Sequence, residues 1–255
     1  MKICDFIQRK RDTLRRNRYE LKPYLVKDGK SHPFALICPG GGYSEVCSFG
    51  EGRPFAEELN KSGYHAFVVY YRVKDKAKYP NPQDDLERAV REIFGNSERW
   101  RVDTEGWSLW GSSAGGHLAA SYCTEKRGTP KPSALILVYP VITMGEHTHE
   151  GSRNNLLGKN PSREMIDKLS VEKQAGPDYP PVFAWYGTAD DTVGTVNTEM
   201  LAKALERVSV THKVEAYEGI GHGAGLAKGT AAEVWLSHAV EFWESQRKAL
   251  SEPQG

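Results

Sequence analysis

The chain has 255 residues, enough for one large α/β domain with a substantial buried core. Its 34 lysines and arginines stand against 33 aspartates and glutamates, and a formal net charge of +1 provides no global field to steer nucleic acid or an anionic membrane. No run approaches the roughly 20 apolar residues of a membrane span, and no nucleic-acid motif is present.

In chain order, the opening Met-Lys-Ile-Cys-Asp is broken by charge too soon for a secretory signal core. The basic stretch Arg9, Lys10, Arg11, Arg15, Arg16 and Arg18 reads as a solvated helix face rather than a phosphate site. Cys4, Cys38, Cys47 and Cys123 show no CxxC pairing, so free thiols in a reducing cytoplasm are expected. Phe34–Cys38 reads as a buried strand ending at Pro39-Gly40-Gly41-Gly42; residues 53–62 follow as a helix stopped by Gly63, and His65–Tyr71 as the next strand. A helix begins near Pro82 and carries Leu86, Ala89, Val90, Ile93 and Phe94 at helical spacing. Trp107–Trp110 is a short strand, His117–Cys123 a helix, and Ala134–Tyr139 and Val182–Tyr186 are further strands. A helix at 195–208, a strand at 212–217 and a helix at 231–247 close the chain. This alternation predicts a single α/β domain over 1–255 with a mainly parallel sheet, interrupted by a polar cap or lid at about 141–180.

Gly111-Ser112-Ser113-Ala114-Gly115 fits G-x-S-x-G, a sharp strand-to-helix turn that lifts one hydroxyl above the sheet edge. Ser113 is the expected nucleophile, because shifting the register to Ser112 puts Trp110 and Ala114 where glycines are needed. Acyl transfer builds charge on a carbonyl oxygen, and N–H donors must meet it. Ala114 supplies one such amide, and the glycine run after the first buried strand supplies Gly41 and Gly42. That run lacks the Lys-Ser/Thr of a P-loop and the G-x-G-x-x-G spacing of a dinucleotide site.

In such an elbow the acid and then the base follow the serine. His222, in Gly219-Ile220-Gly221-His222-Gly223 past the last strand, is the expected base; His212 starts a strand and His238 lies in the final helix. Asp190 and Asp191 both follow the 182–186 strand, and either could be the acid. His147 and His149, in Glu146-His147-Thr148-His149-Glu150, form a weak metal signal without a third spaced ligand, and a solvated lid segment is the preferred reading. His117 reads as a packing or hydrogen-bonding residue near the site.

The chain resembles the bacterial acetylxylan esterase and feruloyl-esterase-like group of α/β-hydrolases. The resemblance rests on Cys38-Pro39-Gly40-Gly41-Gly42-Tyr43, Tyr71-Arg72-Val73, Gly111 to Ala120, Gly187 to Val193 and Gly221-His222-Gly223, within about residues 20 to 245. It implies a parallel sheet with helices on both faces, and Asp190 as the acid, since Gly187, Asp190 and Val193 match the group's G-x-x-D-x-x-V pattern. Tyr186 and Gly194 depart from the group's usual His and Pro. The expected activity is hydrolysis of short acyl esters, acetyl first, on a small-molecule or oligosaccharide alcohol, with no metal or organic cofactor. A peptidase of the prolyl-oligopeptidase type and a non-catalytic binding module are the competing readings.

Overall fold

The computed structural model describes residues 17–125 and 127–251. The basic stretch from Arg9 to Arg16, and Cys4, lie outside the described residues. Seven strands form one sheet: β1 (Glu20–Tyr24), β2 (His32–Cys38), β3 (His65–Tyr70), β4 (Val102–Ser112), β5 (Ala134–Val138), β6 (Val182–Gly187) and β7 (His212–Tyr217). Their order is β1-β3-β2-β4-β5-β6-β7, and only β1 runs antiparallel to its neighbour.

The helices are α1 (Ser48–Glu51), α2 (Arg53–Lys61), α3 (Asn81–Gly95), α4 (Ser97–Trp100), α5 (Ser113–Thr124), α6 (Glu150–Leu157), α7 (Arg163–Leu169), α8 (Val171–Gln174), α9 (Val196–Arg207) and α10 (Trp235–Ser251).

Buried parallel strands carry unbroken apolar runs because both of their faces are covered. Alternate side chains serve opposite faces. Phe34, Leu36 and Cys38 of β2 join Leu86 and Ile93 of α3 and Leu118 of α5 on one side. Ala35 and Ile37 join Phe55 and Leu59 of α2 and Trp235 and Trp243 of α10 on the other. Helices therefore cover both faces.

Three differences from the sequence expectation concern the sheet and the 141–180 segment. β1 was not anticipated: its Glu-Leu-Lys-Pro-Tyr is a polar edge strand whose proline removes a ladder donor, so it lacks the apolar signature of a central strand. β4 begins at Val102 rather than Trp107, with a register shift against β2 between Pro33 and Ala35. The segment 141–180 holds three short helices, but Val141, Ile142 and Met144 at its start are fully buried and belong to the core. Asn197 of α9 holds that start in place. Its Oδ1 accepts from the amides of Ile142 (2.9 Å) and Thr143 (3.2 Å), and its Nδ2 donates to the carbonyls of His147 and Gly194.

The strand order reverses between β2 and β4, since the chain adds β3 on one side of β2 and returns to the other. In open parallel sheets the carboxyl ends at such a reversal leave a crevice for ligands. Here the glycine run follows β2 and Ser113 follows β4.

Candidate active site

The turn from β4 into α5 is shaped by backbone crowding. A methyl group on Gly115 would lie 2.1 Å from the carbonyl oxygen of Cys38, and one on Gly111 would lie 2.4 Å from that of Gly115. Only glycine lets strand, turn and helix approach this closely. Ser113 sits in this turn with φ at 51°, a conformation that L residues other than Asn and Asp seldom hold, and such strain concentrates at functional sites. The Ser113 carbonyl accepts from the Val141 amide at 3.0 Å, which secures the turn from beneath. Ser112 is buried, and its hydroxyl has no partner among the described residues.

Three of the expected residues meet here. His222 Nε2 lies 2.8 Å from Ser113 Oγ, and His222 Nδ1 lies 2.7 Å from Asp190 Oδ2. Asp190 is held on its other oxygen, where Oδ1 accepts from the amides of Thr192 (3.0 Å) and Val193 (2.8 Å). Asp191 is exposed and accepts from the Thr192 hydroxyl, whereas Asp190 alone of the two meets His222. The His222 loop is clamped at its start. The Ala189 amide donates to the Ile220 carbonyl at 3.1 Å, and a methyl on Gly187 would fall 2.0 Å from that oxygen. The Tyr139 ring packs edge-on to His222, with centroids 4.8 Å apart.

The glycine loop has its carbonyls tied outward. Pro39 O accepts from the Tyr71 hydroxyl at 2.6 Å, Gly40 O from the Cys47 amide, Gly41 O from the amides of Ser44 and Glu45, and Gly42 O from Asn155 Nδ2. With the carbonyls so engaged, the amides of Gly41 and Gly42 have no partner among the described residues. Both glycines hold positive φ, at 125° and 64°. Ala114 lies in the first turn of α5, where amides lack a helical acceptor. Gly40 is different: its amide donates to Glu51 Oε2 at 2.7 Å.

Glu51 gave no signal in the sequence. Its carboxylate is buried, accepts from Gly40 on one oxygen and from the Tyr139 hydroxyl (2.8 Å) on the other, and Tyr139 in turn accepts from the Gly225 amide. Burial raises its carboxyl above the usual carboxylate range, opposed by those two hydrogen bonds. The glycine loop and the histidine loop are thus joined through one acid and one phenol.

His117 is fully buried. Its Nδ1 pairs with the Tyr43 hydroxyl and its Nε2 with the Leu169 carbonyl, each at 2.8 Å. A ring that donates to a carbonyl at Nε2 and accepts at Nδ1 is neutral, and burial lowers its pKa to about 4. His212 pairs with the Val210 carbonyl and His238 with Glu215, so neither joins Ser113. Among the described residues no group of three or more His, Cys, Asp or Glu side chains could hold a metal ion. Cys38 and Cys123 are free thiols, and among the described residues no helix is long and apolar enough to cross a membrane.

A cleft of about 620 Å³ opens over Ser113 and His222, within the range of small-molecule sites. It runs between the glycine loop and α1 to Lys22 and Tyr24 on the edge strand, and His149 and Thr192 form part of its wall.

The BD-FAE family model matches residues 23–205. The chain is 33% identical over 238 residues to endo-1,4-beta-xylanase B of Butyrivibrio fibrisolvens, covering 88% of this chain and 37% of that protein. It is 32% identical over 193 residues to an acetylxylan esterase of Xylanibacter ruminicola, covering 74% of this chain and 40% of the other. The chain thus spans about two fifths of the length of these curated relatives. Among solved structures, an acetyl ester-xyloside bifunctional hydrolase from Caldicellulosiruptor lactoaceticus superposes with a TM-score of 0.83 at 32% identity, over 89% of this chain and 88% of that one. On the family match, the two sequence relatives and this shared architecture, the chain belongs to the BD-FAE family, an esterase group of the α/β-hydrolase fold.

Proposed function

We propose that this protein is a serine carboxylesterase that removes short acyl groups, acetyl first, from acetylated carbohydrate. The observation that carries the reading is the continuous chain Ser113 Oγ, His222 and Asp190, with contacts of 2.8 and 2.7 Å, beside two unpartnered glycine amides. Ser113 attacks the ester carbonyl as His222 Nε2 takes its proton, and Asp190 stabilises the imidazolium through Nδ1. Amides of Gly41, Gly42 and Ala114 hold the oxyanion. His222 returns the proton to the leaving alcohol, and water then releases the acyl group from Ser113 by the same path. The scheme uses the chain's own residues throughout. The acetylated-carbohydrate assignment draws on the likeness to an acetylxylan esterase and an acetyl ester-xyloside hydrolase and on a cleft large enough for a sugar alcohol.

The test is a panel of acyl chain lengths and acetylated sugars, run beside a fluorophosphonate probe and the Ser113→Ala variant. Expected are labelling at Ser113, fastest turnover of acetyl esters, and a loss of about 10⁶-fold in kcat in the variant. Turnover of long acyl chains alone would remove the acetyl assignment. Faster cleavage of aminoacyl amides would favour a peptidase. A wild-type protein that neither reacts with the probe nor hydrolyses any ester would be a binding module.

A further inference from the structure

The histidine pair in the 141–180 segment carries one unassigned group. His149 is the N-cap of α6: its Nδ1 accepts from the Ser152 amide and pairs with the Ser152 hydroxyl at 2.8 Å. An amide can only donate, so Nδ1 bears no proton, and the neutral ring carries its proton on Nε2. Burial, followed by the neighbouring His222, lowers the His149 pKa, which favours this neutral form.

The ring stands on the wall of the cleft that holds Ser113 and His222, and a methyl on Gly42 would lie 3.6 Å from its Cε1. Most polar side chains on that wall are already engaged: Ser48 by Tyr70, Glu51 by Gly40 and Tyr139, Arg53 by Glu57, and Thr192 by Asp191. Nε2 of His149 has no partner among the described residues. A donor fixed by its helix cap and left open in a cleft favours ligands that bring an acceptor to it and disfavours those that bury it unpaired.

We infer that His149 Nε2–H binds a hydroxyl on the alcohol half of the ester, so that the site selects esters of polyhydroxy alcohols over those of simple alcohols. The inference rests on the esterase reading above. It concerns the alcohol half because His222 must reach the leaving oxygen, and His149 shares that wall. A neutral donor suits the position, since a second cation beside the His222 imidazolium would oppose the proton transfer.

Two substitutions separate the donor from the cap. Asn at position 149 places its side-chain oxygen where Nδ1 caps the helix and is too short to supply the Nε2 donor. Gln reaches the Nε2 position and gives up the cap. The substrates are trans-2-hydroxycyclohexyl acetate and cyclohexyl acetate, which differ only in one hydroxyl. The wild-type protein should prefer the hydroxy ester by about 10-fold in kcat/KM, the worth of one hydrogen bond. His149→Asn should erase that preference, lowering kcat/KM for the hydroxy ester about 10-fold more than for cyclohexyl acetate. His149→Gln should keep most of the preference. No wild-type preference, a preference intact in His149→Asn, equal loss on both esters, or a preference lost equally in His149→Gln would each overturn the assignment. Those results leave the parent esterase reading standing. If the wild-type protein turns over neither ester and Ser113 is not labelled, the esterase reading falls, and the role of His149 falls with it.

Discussion

The rim of the sheet at β2 and β4 and the 141–180 segment both border the cleft, but they are held by different means. At the rim, backbone meets backbone so closely that glycine is the only residue that fits, as at Gly111 and Gly115. In the 141–180 segment, a few backbone hydrogen bonds such as Val141 to Ser113 are joined by single side chains: Asn197 on Ile142 and Thr143, His117 on Leu169, and Asn155 reaching back to Gly42. The rim should therefore fail abruptly when altered, and the segment by degrees.

The largest effect is expected where the two proposed roles of neighbouring aspartates diverge. Asp190→Asn keeps an oxygen for the Thr192 and Val193 amides but turns an N–H₂ toward His222 Nδ1, forcing the wrong tautomer; kcat should fall about 10⁴-fold. Asp191→Asn should stay within about 2-fold of wild type by the same assay, because its side chain is exposed. Equal effects would undo the assignment of the acid. Next comes Gly115→Ala, whose new methyl has no space against the Cys38 carbonyl. A loss above about 4 kcal/mol, read from urea unfolding or as insoluble protein, is expected.

In the segment, Asn197→Ala leaves two buried amides without an acceptor and should cost about 2 kcal/mol of stability. Solvent-exposed substitutions such as Lys159→Ala are the control. A further test is pH. His117 titrates at about 4 when folded and at the ordinary 6.5 when unfolded. Between those values the unfolded chain binds more protons, so stability from this residue is complete above pH 6.5 and withdrawn as pH falls to 4. The full loss is on the order of 3 kcal/mol. Urea unfolding at the two ends of that interval, compared with His117→Gln, checks it: the variant should lose less, and an equal loss would clear His117 of the effect.

The same contrast explains what could be read in advance. Ser113 was legible because steric demands at the elbow leave a glycine signature, Asp190 because its loop follows the apolar β6, and His222 because it lies in a glycine-rich loop past the last strand. Which aspartate faces the imidazole depends on turn geometry, so only the family pattern separated Asp190 from Asp191. Glu51, Tyr139 and Asn155 left no trace, because a hydrogen-bond partner remote in sequence imposes no local spacing. β1 was invisible for another reason: an edge strand with one open side needs no apolar run. The buried start of the 141–180 segment was hidden by the polar residues that follow it, and the basic amino-terminal stretch falls outside the described residues.

The His222 loop is pinned on both sides of the imidazole. Ahead of the imidazole Ile220 abuts Gly187; beyond it the Gly225 amide donates to Tyr139, and a methyl on Gly225 would lie 2.8 Å from the Gly50 carbonyl oxygen. Anyone reshaping this cleft for a bulkier alcohol has little latitude on either flank: lengthening the chain ahead of Gly221 would carry the imidazole away from the serine, and residues inserted between Gly223 and Gly225 would part the histidine loop from Tyr139 and Glu51.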